Sequence, residues 1–282
     1  TQVTPLSGAA NDVKALEEAL VRHAGFPPDQ VMLLASGEPA ERQPTRVNIL
    51  RRLSNLAAVV PKDGLLVVAF SGHGMERGGQ AFLLPSDAQV SHDMDLLEQT
   101  ALNVTQMKDK IRRTGVGQVV LFLDACRNDP TAGRSDAANP LTQAYTRGLS
   151  FDVRNREVTA FATLYATAMG HRAYEYKEKK QGYFMWALVE GLKGKAANEK
   201  DEVTLAGLIR YLQDWVPKRG LLDLGPGKEQ RPFAVVEGYK ADGLVVAVAG
   251  GPEVTGPPDV ETPEPPLGVD PPAIELSFWE TI

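Results

Sequence analysis

The sequence predicts an α/β domain, a mostly parallel central sheet sandwiched by helices, and three observations carry that expectation. Two continuous apolar runs, Leu65–Phe70 (LLVVAF) and Gln118–Leu123 (QVVLFL), have the length and character of strands buried on both faces. Segments on either side of them place apolar residues three and four apart, which makes one greasy face per helix. Strand-length and helix-length segments alternate, as they do where helical crossovers join parallel strands.

Taken in order, Asn11 or Asp12 caps a first helix running through Val13, Leu16, Leu20 and Val21, and Gly25 with Pro27-Pro28 stops it. Val31–Leu34 reads as a short strand. Thr45 caps a second helix carrying Ile49, Leu50, Leu53 and Leu56. After LLVVAF come a glycine-rich turn, a short Ala81–Leu84 strand and a helix around Val104–Arg113. Thr159–Tyr165 reads as a strand and Tyr183–Leu192 as a helix with Phe184, Leu188 and Leu192 on one side. Leu205–Val216 is a further amphipathic helix. Two segments break the pattern. Arg127–Arg156 is polar and long for a loop inside a domain, which marks it as functional or disordered. Gly250–Pro272 is dominated by Pro, Gly, Glu and Asp, the composition of an extended linker, and an apolar ELSFWETI follows it.

Composition excludes several classes. The 282 residues are 43% hydrophobic and 23% charged, ordinary values for a globular chain. A formal net charge of −6 without a basic stripe argues against nucleic-acid binding. No run approaches the ~20 apolar residues of a membrane span; the longest bland apolar stretch, Gly243–Ala249, is strand-sized. No signal peptide is visible. The single cysteine, Cys126, excludes an internal disulfide framework and a Cys-rich zinc site. A lone thiol suits a reducing compartment, so a cytoplasmic location is expected.

The chemistry gathers at two strand ends. LLVVAF leads into Ser71-Gly72-His73-Gly74 and QVVLFL into Asp124-Ala125-Cys126-Arg127. Sites in open α/β sheets collect beyond the carboxyl ends of strands. Neighbouring parallel strands would bring His73 and Cys126 to one rim, and their separation of 53 positions leaves room for a crossover helix. An imidazole beside a thiol supplies the base that an only partly ionised nucleophile needs, then returns the proton to a leaving amine. The amides of Gly74 and Cys126 are natural oxyanion donors. A lone cysteine after an apolar strand is more often a small buried hydrophobe, and a lone histidine is more often structural. The two together, at matched strand ends and in a glycine setting, favour catalysis.

The FSGHG and LDAC segments, at this spacing, resemble the p20 region of caspases, metacaspases and above all bacterial orthocaspases. The likeness extends to PLSGAANDVKALEEAL and TRVNILRRL, which resemble the family's first two helices. ATLYATAMGHRAYE and GYFMWALVEGL resemble its p10 strand and following helix, so the match covers Pro5–Val236. The resemblance implies a caspase–hemoglobinase fold whose opening strand would precede Thr1. It implies a peptidase domain over residues 1–240, with a p20-like part at 1–130, a linker loop at 127–157 and a p10-like part at 158–240. Residues 241–282 would be a short strand and a Pro-rich acidic linker leading to a further domain or partner. The implied activity is that of a cysteine endopeptidase acting on protein or peptide substrates, with a caspase-like pseudoenzyme or docking module as the alternative.

The specificity implied is basic. Aspartate-specific caspases hold the substrate aspartate with arginines and a glutamine, and the matching positions here are Leu6, Asp124 and Glu175. Asp12 and Asp124 match the acidic pocket positions of metacaspases, which implies cleavage after Arg or Lys. Helix capping is the competing role for Asp12, and a solvated surface for Glu175. An Arg-cleaving enzyme could process itself at Arg134, Arg147, Arg154 or Arg156, or at Lys177, Lys179 and Lys180. Many metacaspases need calcium, but Asp87, Asp93 and Asp95 lack the dense spacing of a dedicated loop, so calcium independence and no metal or cofactor are expected. His23, His92 and His171 have no ligand-spaced partners.

Overall fold

The computed structural model describes residue 6 and residues 8–90, 93–126, 159–167 and 173–249. Its centre is a six-stranded mixed sheet in the order β3-β2-β1-β4-β5-β9, built from β1 (Leu65–Arg77), β2 (Gln80–Leu84), β3 (Leu102–Asn103), β4 (Gln118–Cys126), β5 (Ala160–Tyr165) and β9 (Phe233–Glu237). The three middle strands β1, β4 and β5 are parallel, and the outer strands run antiparallel to their neighbours. β4 lies in the middle, and Val119 to Leu123 are all buried, as a continuous apolar run on a two-sided strand requires. β1 is less covered: of LLVVAF only Leu66 is buried.

Helices cover both faces because strand side chains alternate between them. Val120, Phe122, Ala162 and Leu164 pack against α1 (Ala9–Arg22), α5 (Tyr183–Glu190) and α6 (Leu205–Leu224). Val119, Leu121 and Leu123 pack on the opposite side with Leu53 of α2 (Arg46–Val59) and with Met107 and Ile111 of α4 (Val104–Arg112). Arg112 joins α4 to β9, since its guanidinium donates to both carboxylate oxygens of Glu237 at 3.2 and 3.1 Å and lies 4.2 Å from the Phe161 ring centroid.

Thr45 caps α2 as its sequence position predicts, accepting from the Asn48 N–H at 3.3 Å. Several expectations are corrected. α1 starts at Ala9 after Gly8, so neither Asn11 nor Asp12 caps it. Val31–Leu34 is not a strand: among the described residues no strand pairs with it. β1 does not stop at Phe70: pairing with β4 and then with β2 carries it through the SGHG segment to Arg77. The glycine-rich turn is Gly78-Gly79, where φ of 59° and 73° favours glycine. An unanticipated helix, α3 (Met94–Thr100), is capped by Asp93, which accepts from Asp95. α6 runs past Val216 and through Pro217, a helix-interior proline costing roughly 3 kcal/mol that tertiary contacts of the later turns offset.

Two small two-stranded antiparallel sheets complete the described structure. β6 (Glu175–Tyr176) pairs with β7 (Gln181–Gly182), and β8 (Glu202–Thr204) pairs with β10 (Val245–Val248). Ala241, Leu244, Val246 and Ala247 are buried in the α1–α5–α6 core, so the packed unit continues beyond residue 240. The Arg127–Arg156 loop, His92, His171 and the chain after Ala249 lie outside the described residues. No helix among the described residues is long and apolar enough to cross a membrane.

Candidate active site

β1 and β4 pair in parallel from Leu65–Gln118 to His73–Cys126, so residues 73 and 126 are opposite each other where the pairing ends, at the carboxyl end of β4 and four residues before that of β1. Neighbouring strands are about 4.8 Å apart. His73 is half-buried and Gly74 is buried. Gly72 makes room locally: a Cβ there would meet the Phe70 ring at 3.0 Å.

Two residues earlier in the same register, Ser71 is opposite Asp124. Period-two alternation puts Ser71 on the same face of β1 as His73, toward α1. The Ser71 hydroxyl donates to Oδ2 of Asp12 at 2.7 Å, and the Gly182 N–H donates to Oδ1 of Asp12 at 2.9 Å. Asp12 is 3% exposed and Asp124 6%. Asp124 accepts from the Met185 N–H in the first turn of α5, where the helix dipole favours negative charge. Its Oδ2 is buried and accepts no hydrogen bond from any described residue. Gly182 separates the two carboxylates: a Cβ there would lie 2.6 Å from Oδ2 of Asp124 and 3.5 Å from Oδ2 of Asp12.

Two buried carboxyls this close resist ionising together. Burial pushes Asp12 up to about 6, against the pull of the hydrogen bonds from Ser71 and Gly182, and the charge of Glu175 adds to the rise. Burial, then the charge of Asp12, holds Asp124 well above the ordinary carboxylate range, while the Met185 N–H draws it back. Among the described residues the arrangement has no cation acting on either carboxyl and one acceptor without a donor.

The candidate residues thus fall into two adjoining groups. His73 and Cys126 share one register position, and Asp12 and Asp124 form a buried carboxylate pair beside it. The helix-capping role weighed for Asp12 is replaced by hydrogen bonds to β1 and β7. Glu175 is on the rim, exposed on β6, close enough to act on Asp12 through its charge but outside the buried pair. Leu6, also exposed, adds no polar group. Asp87 accepts from the Arg46 N–H at 2.8 Å and Asp93 caps α3, so both have structural work. Among the described residues no three His, Cys, Asp or Glu side chains converge as a metal site would need.

Ser71 and Gly182 were missed in the sequence. Ser71 had a legible signal, its position two residues before His73 on one strand. Gly182 had none, because its role depends on Asp12 from a helix 170 residues away in the chain.

Comparison with known proteins bears on this arrangement. The caspase-domain family model matches residues 1–236. Metacaspase-7 of Arabidopsis thaliana is 26% identical over 176 residues, 57% of this chain and 42% of that protein. Metacaspase-1 of Yarrowia lipolytica is 39% identical over 70 residues, 24% of this chain and 15% of that protein. A bacterial protein named as a probable protease, from a Desulfuromonadales bacterium, is 27% identical over 168 residues, 54% of this chain and 19% of that protein. The chain therefore spans less than half the length of these curated relatives. The crystal structure of caspase-1 from Spodoptera frugiperda superposes with a TM-score of 0.54 at 17% identity, covering 90% of this chain and 85% of that one, a likeness of fold.

Proposed function

Because this chain belongs to the caspase-domain peptidase family, we propose that it is a cysteine endopeptidase that uses His73 and Cys126 as its dyad and cleaves after Arg, and more weakly after Lys. The observation that carries the dyad is the parallel register of residues 73 and 126, the last pair between β1 and β4. The observation that carries the specificity is the buried, unfilled Oδ2 of Asp124 beside Asp12.

In this mechanism the His73 imidazole takes the thiol proton of Cys126, and the thiolate attacks the peptide carbonyl carbon. The amides of Gly74 and Cys126 donate to the oxyanion of the tetrahedral intermediate. Collapse breaks the C–N bond, and the imidazolium gives its proton to the departing amine. Water, deprotonated by His73, then hydrolyses the thioester and returns the thiol. The substrate guanidinium meets Asp124 and Asp12 in a water-poor slot, where removing one partner of such a pair costs ~2–5 kcal/mol. Its planar fork suits a bidentate contact that an ammonium cannot copy.

Fluorogenic peptides ending in Arg, Lys or Asp test this directly. Hydrolysis of the Arg and Lys peptides by wild type and none by Cys126→Ala is the expected result. Cleavage of the Asp peptide alone would reject the acidic pocket. Labelling of Cys126 by a peptidyl ketone that His73→Ala blocks separates an enzyme from a docking module. The same activity would allow self-processing at Arg134, Arg147, Arg154 or Arg156, outside the described residues, or at the exposed Lys177, Lys179 and Lys180. Mass spectrometry should find fragments in wild type that Cys126→Ala lacks.

A further inference from the structure

The acidic pocket has one wall that is weak by itself. The β6–β7 hairpin has two residues per strand and is not paired to the main sheet. Isolated two-stranded hairpins are marginal in water. Yet this hairpin delivers the Gly182 N–H to Asp12, and the next residues start α5, whose Met185 N–H holds Asp124. Something must set its place.

Backbone restraints account for part of that. Asn11 donates to the Lys180 carbonyl at 2.9 Å, the Tyr183 N–H donates to the Tyr174 carbonyl at 3.2 Å, and the Tyr174 N–H donates to buried Gln230 at 2.9 Å. The rest comes from α6. Tyr176 on β6 and Tyr183 just after β7 stack across the hairpin, with centroids 4.8 Å apart and planes 10° apart. The buried Tyr183 hydroxyl donates to Oδ2 of Asp223 at 3.0 Å, and Arg219 Nε donates to the same oxygen at 2.8 Å. The Arg219 guanidinium also sits 5.4 Å from the Tyr176 centroid, a cation over the ring. Burial and the Asp223 carboxylate keep the Tyr183 hydroxyl protonated far into alkali, so it remains a donor.

We propose that Asp223 and Arg219 are positioning residues for the acidic pocket. By gripping the Tyr183–Tyr176 stack from α6, they fix the hairpin and thereby aim Gly182 at Asp12 and Met185 at Asp124. This rests on the reading of Asp12 and Asp124 as the subsite for a basic residue, and it extends that subsite's affinity to residues outside it. Among the described residues they bond to each other and to Tyr183. The thiol and imidazole are on other elements, so substrate binding should suffer before chemistry does.

The test is steady-state hydrolysis of Arg-ended fluorogenic peptides by the full chain. Asp223→Ala should raise KM about tenfold, the equivalent of one lost charge-assisted hydrogen bond, with kcat within about twofold. Tyr183→Phe, which keeps the ring stack and removes only the hydroxyl, should do the same and is informative even if Asp223→Ala folds poorly. Asp223→Asn retains an oxygen acceptor and should recover most of the loss. The rate at which iodoacetamide alkylates Cys126 should stay unchanged throughout. A lower melting temperature with KM unmoved in Tyr183→Phe would make the pair a structural brace and overturn the proposal. Wild type active on Arg peptides with KM unmoved in the variants sinks this inference alone; wild type inactive on them sinks the pocket reading with it.

Discussion

The Ser71 hydroxyl donates to Oδ2 of Asp12 at 2.7 Å, which ties the strand two residues before His73 to the first helix. That bond favours the charged form of a carboxyl that burial otherwise holds neutral. Ser71→Ala should therefore make Asp12 harder to ionise. The expected result is a KM for Arg peptides raised roughly 3- to 10-fold at pH 7, the loss of one hydrogen bond to a charged group. An unchanged KM would mean that Asp12 does not meet the substrate.

Asp12 sits at about 6 in the folded chain against an ordinary 3.8. A raised folded value means that its contribution to stability is fully present below 3.8 and is lost as pH climbs through about 6. At pH 8 the buried charge costs on the order of 2–3 kcal/mol. Asp12→Asn keeps an oxygen for the Gly182 N–H and carries no charge. Urea unfolding, in a Cys126→Ala background, should show Asp12→Asn more stable than its parent at pH 8, with the gap closing near pH 4. A variant less stable at pH 8 contradicts the electrostatic account.

The same titration governs substrate. A guanidinium binds the ionised pair, so KM for Arg peptides should climb as pH falls through about 6, where Asp12 takes up its proton. The slope should flatten in Asp12→Asn. A pH-independent KM from 5 to 8 would leave the carboxylates without a role in recognition.

Gly182 is needed for space, not for its backbone angles, since φ −72° and ψ 147° suit any residue. A methyl at that place would fall 2.6 Å from Oδ2 of Asp124. Gly182→Ala should lower stability by about 1–3 kcal/mol through overpacking and weaken Arg-peptide cleavage more than tenfold. Thermal melts and KM measured together check it; neutral behaviour in both would show that the slot is wider than drawn.

His73→Ala should cut kcat by about 10²- to 10⁴-fold, the range of a lost general base, while leaving KM for Arg peptides within a few-fold. A parallel loss in KM would assign His73 to binding instead.

The residues themselves determined the alternation of strands and helices, the placement of the DAC segment at the carboxyl end of its strand, and the cap at Thr45, because each depends on neighbours within a few positions. Local pattern also suggested the wrong start for α1, a strand at Val31–Leu34 and an early end for β1. Those depended on partners: β2 and β4 extend β1, and among the described residues no strand meets Val31. The resemblance paired Asp12 with Asp124, but tertiary structure alone decided that Ser71 and Gly182 join them, since the four come from α1, β4, β1 and β7. It alone decided that both carboxyls are buried. A carboxylate's protonation depends on the water and charges around it, and sequence spacing carries no record of either.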